Sequence, residues 1–131
     1  MPGIPCVYYG SEWGEKADKS QGDPALRPSF EAPVFNELTD YISKLATAKK
    51  ESMALNYGDF SSTLLTNKQC VFKRHVDEET VYVCINADET DFDAYCEIKN
   101  GTYIDLITKE SIEIGDCFKM PGYSAFYLKH I

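Results

Sequence analysis

Two acidic clusters and two histidines are the side chains of this sequence that are most able to bind a metal ion or transfer a proton. The acidic clusters occupy residues 77–79 and 88–91, and the histidines are His75 and His130. Both clusters lack the glycine at position six and the glutamate at position twelve of a calcium-binding EF-hand loop. Each histidine is isolated in the sequence. We therefore interpret the clusters as solvated turns and the histidines as structural, and we predict no metal site and no cofactor.

The five cysteines do not form a recognisable framework. They are odd in number, widely spaced and contain no C-x-x-C pair, which argues against a zinc site or a set of disulfides. We expect buried free thiols in a reducing compartment, and hence a cytoplasmic protein. The residues concerned are Cys6, Cys70, Cys84, Cys96 and Cys117.

Charge and length restrict the class of partner. The chain has 131 residues, 13 basic and 21 acidic, and a net charge of −8. Such a surface repels phosphate backbones and anionic lipid, so we predict no nucleic-acid partner and no membrane partner. No apolar stretch reaches the roughly 20 residues that span a bilayer. A neutral ligand such as a sugar is compatible with this charge, and the oligomeric state is left open.

The elements that must position any site fall into two groups. An apolar run over 4–9, bounded by glycines, predicts a strand buried on both faces of a parallel sheet. A long polar loop follows over 11–32, and apolar residues at three- and four-residue spacing predict a helix over 35–48. From residue 60 onward, the pattern changes to short strands between turns, which indicates an antiparallel two-sheet sandwich. We place these strands at 60–66, 69–76, 79–86, 92–98, 102–106, 111–113, 117–120 and 124–129.

The chain begins with the motif MPGIPCVYYGSEWG over residues 1–14. This motif resembles the "PGxPxIYYGDE.G" segment of glycoside hydrolase family 13, the α-amylase family, which forms the last barrel strand and the loop after it. Downstream, similar motifs occur in the family's order, at 54–60 (ALNYGDF), 71–74 (VFKR), 81–86 (VYVCIN), 103–110 (YIDLITKE) and 121–128 (PGYSAFYL). The 23–28 segment (DPALRP) is similar to the neopullulanase, cyclomaltodextrinase and maltodextrin-glucosidase branch.

This resemblance implies a mainly β fold in two parts. Residues 1–57 would be a remnant of a truncated (β/α)₈ barrel, comprising its last strand, an active-site-facing loop and its last helix. Residues 58–131 would be the C-terminal antiparallel Greek-key β-sandwich, known in the family as domain C. The chain would then be the C-terminal portion of an enzyme that hydrolyses α-glucosidic bonds with retention of configuration.

The resemblance also implies which residues contact sugar and which do not catalyse. The family's catalytic carboxylates belong to earlier barrel strands, and no acidic residue here matches them, so we predict no catalytic residue and no activity for this chain alone. Asp23 and Arg27 match the branch's sugar-contacting pair, against the alternative of a salt bridge that stiffens the loop. Trp13 either faces a sugar ring or packs the loop, whereas Tyr8 and Tyr9 are expected to pack.

Two other functions remain open from the sequence. The chain could be a stand-alone carbohydrate-binding β-sandwich with aromatic side chains as a sugar platform. It could also be an interaction module that recruits a partner through its exposed apolar strand. The stand-alone sandwich does not account for the buried-strand pattern and the helix that precede it. The order of the motifs favours a portion of an α-glucan hydrolase over both alternatives, with α-glucan or maltooligosaccharide as the partner of the intact enzyme.

Overall fold

Turns and helices make up the first of two units into which the chain divides, Gly3–Ala46. The computed structural model describes residues 3–131, so Met1 and Pro2 of the predicted barrel segment lie outside the described residues. The unit contains 3₁₀ turns at Ser11–Trp13 and Lys19–Gln21, helix α1 at Asp23–Leu26 and the first part of helix α2.

The strand predicted at 4–9 is not formed in this chain. Its residues have no regular strand structure, and Ile4 is 95% exposed. A strand buried on both faces needs neighbouring strands to bond its N–H and C=O groups. Among the described residues, no strand pairs with this segment. The apolar run therefore lies uncovered.

Helix α2, Glu37–Glu51, confirms the helix predicted from the apolar spacing, displaced by about one turn. Its charges follow the helix dipole, with Glu37 and Asp40 in the first turn and Lys49 and Lys50 in the last. The apolar side of the helix is only partly covered by the described residues: Phe35 just before it is 79% exposed and Leu38 is also exposed, whereas Ala48 is buried. No helix within residues 3–131 is long and apolar enough to cross a membrane.

The second unit includes Thr47–Ile131 and begins with helix α3, Met53–Tyr57. Ser52 caps this helix by accepting a hydrogen bond from the Leu55 N–H at 3.1 Å. The methyl group of Ala54 packs against Phe72, Val81 and Val83 of the sheet. Since α3 belongs to the sandwich unit, the contacts place a division near residue 46, and the domain boundary at 57/58 stays a prediction.

Eight antiparallel strands within residues 59–130 confirm the predicted sandwich. The first three pair in sequence, and β8 returns between β3 and β5 to give a six-stranded sheet in the order β1-β2-β3-β8-β5-β6. The return of β8 past β6 and β7 to β5 is a Greek-key connection. β4 and β7 form the second sheet. The strands are β1 Asp59–Leu65, β2 Gln69–Val76, β3 Glu79–Asn86, β4 Phe92–Ala94, β5 Gly101–Asp105, β6 Ser111–Ile114, β7 Phe118–Met120 and β8 Ser124–His130.

The central strands of the large sheet are covered on both faces, which explains their apolar sequence. Alternate side chains of a strand point to opposite faces. One face carries Val71, Cys84 and Leu128, which pack in the core with Phe118 and Met120 of the small sheet. The other face carries Phe72, Val81 and Val83, which α3 covers. β3 therefore has the continuous apolar pattern of a strand with no solvent side.

Two buried polar side chains join distant parts of the sandwich. The Asp105 carboxylate accepts backbone N–H bonds from Ile107, Thr108 and Tyr127, each at 2.8 Å. The Asn86 amide donates to the carbonyls of Thr90, Met120 and Pro121 and accepts from the Gln69 side chain at 2.9 Å. Both groups are thus fully used within the fold, which is the usual state of buried polar atoms.

All five cysteines are free in the structure, but the expectation that they are buried holds only for Cys84, since Cys6 is exposed and the other three are partly exposed. Cys84 is buried in the core, and this burial raises the pKa of its thiol above the ordinary value. The Cys84 thiol is therefore protonated and unreactive at neutral pH.

Candidate functional site

The candidate site lies in the N-terminal unit, where a tight turn presents Glu12 and Trp13. Gly10 begins the turn with a left-handed φ of 86°. A Cβ on Gly10 would lie 3.1 Å from the Phe30 ring, so both the conformation and the space favour glycine here. The turn is closed by an N–H bond from Glu15 to the Gly10 carbonyl at 2.9 Å.

The start of α2 fixes this turn through its capping residues. The Asn36 side chain accepts from the Thr39 N–H at 3.0 Å, as an N-cap does. It also donates through Nδ2 to the Trp13 carbonyl at 2.9 Å. The Thr39 hydroxyl donates to the Glu12 carbonyl at 2.9 Å. Helix formation and loop placement are therefore coupled in this unit.

Aromatic rings form the other support of the loop. Trp13 meets Phe30 edge to face, with ring centroids 4.9 Å apart, and Tyr9 meets the same ring at 6.0 Å. Tyr8 and Tyr9 are in contact at 4.6 Å. A hydrogen bond with Tyr8 raises the pKa of the Tyr9 hydroxyl, against the opposing charge of Arg27. The tyrosines thus contact each other and Phe30 while keeping exposed surface, and their expected packing at the end of a barrel stays a prediction.

Two buried polar atoms at this turn have no hydrogen-bond partner among the described residues. They are Oε2 of Glu12 and Nε1 of Trp13. A buried carboxylate oxygen and a buried indole N–H normally have a partner, because each loses its bond to water. The turn is therefore chemically incomplete in this chain, and these two atoms are the ones that an added group would satisfy.

Asp23 and Arg27 lie at the two ends of α1, and both are exposed. Asp23 is the first residue of the helix, and Arg27 follows the last. Among the described residues, neither side chain forms a salt bridge or a hydrogen bond. Arg27 is close enough to Tyr9 for its charge to lower the pKa of that hydroxyl in part. The structure thus brings Arg27 towards the aromatic cluster and does not pair it with Asp23.

The residues that sequence reasoning missed are Phe30, Asn36 and Thr39. Phe30 lies at the centre of the aromatic cluster, and the other two hold the backbone of the turn. The Asn-x-x-Thr spacing immediately before a helical pattern is a capping signal that was available in the sequence. Nothing in the sequence alone indicated that the same cap would bind the carbonyls of residues 12 and 13.

The other chemically capable groups are engaged in the sandwich. The His75 ring shares a 2.8 Å hydrogen bond with Thr80, and His130 packs edge to face on Tyr103. Asp88 pairs with Lys68 at 2.9 Å, and this hydrogen bond lowers the pKa of its carboxyl. Within residues 3–131, no group of three or more His, Cys, Asp or Glu side chains is arranged to hold a metal ion.

No family model matches the chain. Comparison with individual known proteins, however, finds relatives that align with most of its length. The cyclomaltodextrinase of Thermoanaerobacter pseudethanolicus is 26% identical over 130 residues, which is 97% of this chain and 22% of the relative. The cyclomaltodextrin glucanotransferase of Bacillus licheniformis is 28% identical over 112 residues, which is 80% of this chain and 15% of the relative. The chain thus spans less than a quarter of either relative.

Solved structures agree. An Anoxybacillus α-amylase superposes with a TM-score of 0.80 and 25% identity, over 98% of this chain and 29% of that one. Its match includes the sandwich as well as the loop and helix that precede it, since nearly all of the chain is covered. The antiparallel sandwich corresponds to the C-terminal domains of such amylases. Over most of its length, the chain is therefore similar to the C-terminal portion of proteins of the α-amylase family, glycoside hydrolase family 13.

Proposed function

We propose that this chain is the C-terminal portion of a longer enzyme that hydrolyses α-glucosidic bonds, and that it completes and stabilises the catalytic barrel. The observation that carries the proposal is the unequal coverage of the alignment. It includes 97% of this chain but only 22% of a cyclomaltodextrinase. A barrel of this kind requires about 250 residues, and its active site is made from loops at the carboxyl ends of several strands. This chain would contribute one of these loops.

The uncovered apolar surface of the N-terminal unit supports this role. Ile4, Val7, Tyr8 and Phe35 are all more than half exposed. Apolar side chains in such number on a unit of this size favour burial against another apolar surface. Among the described residues, the segment 4–9 has no strand partner, and its Tyr8 carbonyl accepts only the nearby Ser11 N–H at 3.0 Å. A neighbouring parallel strand would bond the remaining N–H and C=O groups. The proposed covering surface is the remainder of the barrel.

The two unpaired buried atoms also fit this proposal. Oε2 of Glu12 would accept a hydrogen bond and Nε1 of Trp13 would donate one to groups from the remainder of the barrel. Asp23 and Arg27 remain exposed and unpaired by salt bridges. They are thus available to hydrogen-bond the hydroxyl groups of a bound sugar. We propose these two residues, with Trp13, as contacts to a maltooligosaccharide in the intact enzyme.

Catalysis would depend on carboxylates outside this chain. A retaining glycosidase uses a nucleophile and a general acid/base, whose carboxyl groups lie about 5–5.5 Å apart. No acidic residue of this sequence matches either role. The chain would therefore bind, position and stabilise, but would not cleave. The intact enzyme is proposed to be cytoplasmic, in keeping with five free thiols.

The experiment compares the purified 131-residue chain with the product of the longer open reading frame that contains it. We expect the longer protein to release reducing sugar from maltodextrin or cyclodextrin and the chain alone to release none above buffer, because a general acid–base pair cannot be replaced by surface carboxylates. Two results would contradict the proposal: a longer protein without α-glucan activity, or activity of the chain alone that is lost on substitution of one of its own acidic residues.

A further inference from the structure

The outer side of the small sheet carries two highly exposed tyrosines at the ends of a row of charged side chains. Ala94 of β4 and Phe118 and Met120 of β7 are buried in the core. Their neighbours Asp93 and Lys119, which are opposite each other in the register, therefore face outward. Tyr95 follows β4 and Tyr123 follows β7, and each is 75% exposed. We call Asp91, Asp93, Tyr95, Lys119 and Tyr123 the tyrosine face.

A series of contacts connects the tyrosine face from Tyr95 to the Gly122 backbone beside Tyr123. Tyr95 lies beside the Cys117 side chain, next to the Asp93–Lys119 pair. Lys119 bonds Asp91 at 3.0 Å, and the Asp91 carboxylate accepts the Gly122 N–H at 3.2 Å. At about 3.3 Å per residue, the row from Tyr95 to Asp91 is roughly 13 Å long. The face is therefore narrow and elongated.

Tyr123 is held in a backbone conformation that its side chain does not favour. Its φ is 50°, in the left-handed region that is uncommon for a bulky residue. The Tyr123 N–H bonds the Asp88 carbonyl at 2.8 Å, and the Asn86 amide bonds the Pro121 carbonyl at 3.0 Å. A Cβ on Gly122 would collide with the Glu89 carbonyl, so the backbone of the turn packs closely against residue 89. The fold thus fixes an exposed aromatic ring at an energetic cost, which is typical of functional positions.

The size and charge of the tyrosine face indicate which class of ligand it can bind. A stable protein interface uses roughly 20–30 residues on each side, and the face has five. The net charge of −8 disfavours an anionic ligand. A linear neutral oligosaccharide fits, because the apolar side of a sugar ring packs on an aromatic ring while its hydroxyls bond carboxylates and an ammonium group. The ligand class, though not the site, rests on the proposed function.

We propose that the tyrosine face binds an α-glucan chain, separately from any active site of the intact enzyme. Tyr95 and Tyr123 would each pack against a sugar ring, and Asp93 and Lys119 would bond the hydroxyls between them. Such a site would hold a polymeric substrate close to the enzyme. It needs only the sandwich unit, so the 131-residue chain should bind by itself.

The test is a titration of the ¹⁵N-labelled chain with maltoheptaose, with cellohexaose as the comparison ligand. We expect amide shifts at 91–95 and 117–124 with maltoheptaose, and weaker or no binding of cellohexaose. Tyr123→Gly and Tyr95→Ala should each raise the Kd by roughly three- to tenfold, the size of an aromatic contact. Tyr123→Phe, which keeps the ring, should bind like the parent chain.

Two features keep the test independent of folding and of the proposed function. Glycine is favoured at the left-handed φ of residue 123, so Tyr123→Gly should keep or raise the melting temperature while it weakens binding. Tyr57→Ala, at a 73% exposed tyrosine of α3, is the matched control and should bind normally. Equal binding by Tyr123→Gly and the parent, equal Kd for the two sugars, or no maltoheptaose shifts would overturn the inference. An active longer enzyme would still support the proposed function in each case.

Discussion

Polar residues of this chain differ in how completely the fold uses them. Asp105 and Asn86 are buried, and their hydrogen bonds join nearby turns and distant strands of the sandwich. Glu12 and Trp13 each have a buried polar atom without a partner among the described residues. Groups of the first kind stabilise the native state, whereas groups of the second kind cost free energy until something bonds them. Glu12 and Trp13 are therefore the residues that we expect to bond groups outside this chain.

Asp23 and Arg27 provide a residue-scale prediction for the longer enzyme. Substituting either by alanine should lower kcat/KM on maltotriose by roughly one to two decades, because a hydrogen bond to a charged group is worth about 1.5–3 kcal/mol. The melting temperature should stay unchanged, since neither side chain makes a salt bridge to the described residues. Steady-state kinetics and thermal melts of both single variants and the double variant provide the measurement.

A purely structural role gives a different pattern in the same experiment. If Asp23 and Arg27 only stiffen the loop of the intact enzyme, the variants will melt at a lower temperature and retain near-parent kcat/KM below it. The exposed Lys19→Ala, in the preceding turn, is a control that should change neither quantity. Unchanged kinetics together with a lowered melting temperature would end the assignment of these residues as sugar contacts.

At the scale of elements, α3 is joined to the β2–β3 hairpin by a side-chain hydrogen bond in addition to the packing of Ala54. The buried Ser52 hydroxyl donates to Glu79 at 2.6 Å while it accepts the Leu55 N–H. Burial acts to raise the pKa of Glu79, but the bonds from Ser52 and Lys129 outweigh it and the net pKa lies below the ordinary value. The folded state thus favours the ionised carboxylate.

This pair predicts a pH-dependent contribution to stability. Because the folded pKa is below the unfolded value of about 4.3, the contribution is complete above that pH and disappears as the pH falls through the folded pKa. Glu79→Gln should lower the free energy of unfolding at pH 7 by about 0.5–1 kcal/mol, towards the lower end because the group is partly solvated. Glu78→Gln is the matched control. Melting curves from pH 7 to pH 3 should converge for Glu79→Gln and the parent; a constant difference would contradict the assignment.

The elements differ in how far the sequence could predict them. All eight strands form within a few residues of their predicted positions, because turn residues and alternating burial depend on local chemistry. A continuous apolar run predicts a strand that is covered on both faces. This prediction is correct for β3, whose second face is covered by α3. It is wrong for 4–9, which has no described strand beside it. Periodicity indicates that a segment can be buried, but not whether its neighbours belong to the same chain.

The candidate site was only partly predictable for the same reason. The motif resemblance singled out Trp13, Asp23 and Arg27, and the structure places all three in one unit without an Asp23–Arg27 ion pair. The role of Asn36 and Thr39 depends on where the capped helix meets the turn, which is a tertiary contact. The unpaired atoms of Glu12 and Trp13 become visible only when burial and bonding are known atom by atom.

At the scale of the whole molecule, the two units should differ in how firmly they are held. The sandwich has its core, its paired strands and its buried polar bonds within Thr47–Ile131. The unit Gly3–Ala46 contains exposed apolar side chains and a segment without strand pairing. Backbone amides without stable bonds exchange with solvent through small local openings, whereas those of core strands require near-global unfolding.

Amide hydrogen exchange of the dilute 131-residue chain tests this difference. We expect strong protection in β2, β3 and β8, which lie inside the six-stranded sheet, and little protection over 4–9. The single variant Val83→Ala, which shortens a core side chain, should raise exchange throughout the sandwich and leave 4–9 unchanged. Strong protection of 4–9 in a dilute monomer would contradict the expectation. Protection of 4–9 that appears only as concentration rises would instead show the segment pairing with a second chain, as an unpaired strand edge does. In the longer enzyme, the same amides should become protected at every concentration, because the proposed neighbouring strand is then part of the same polypeptide.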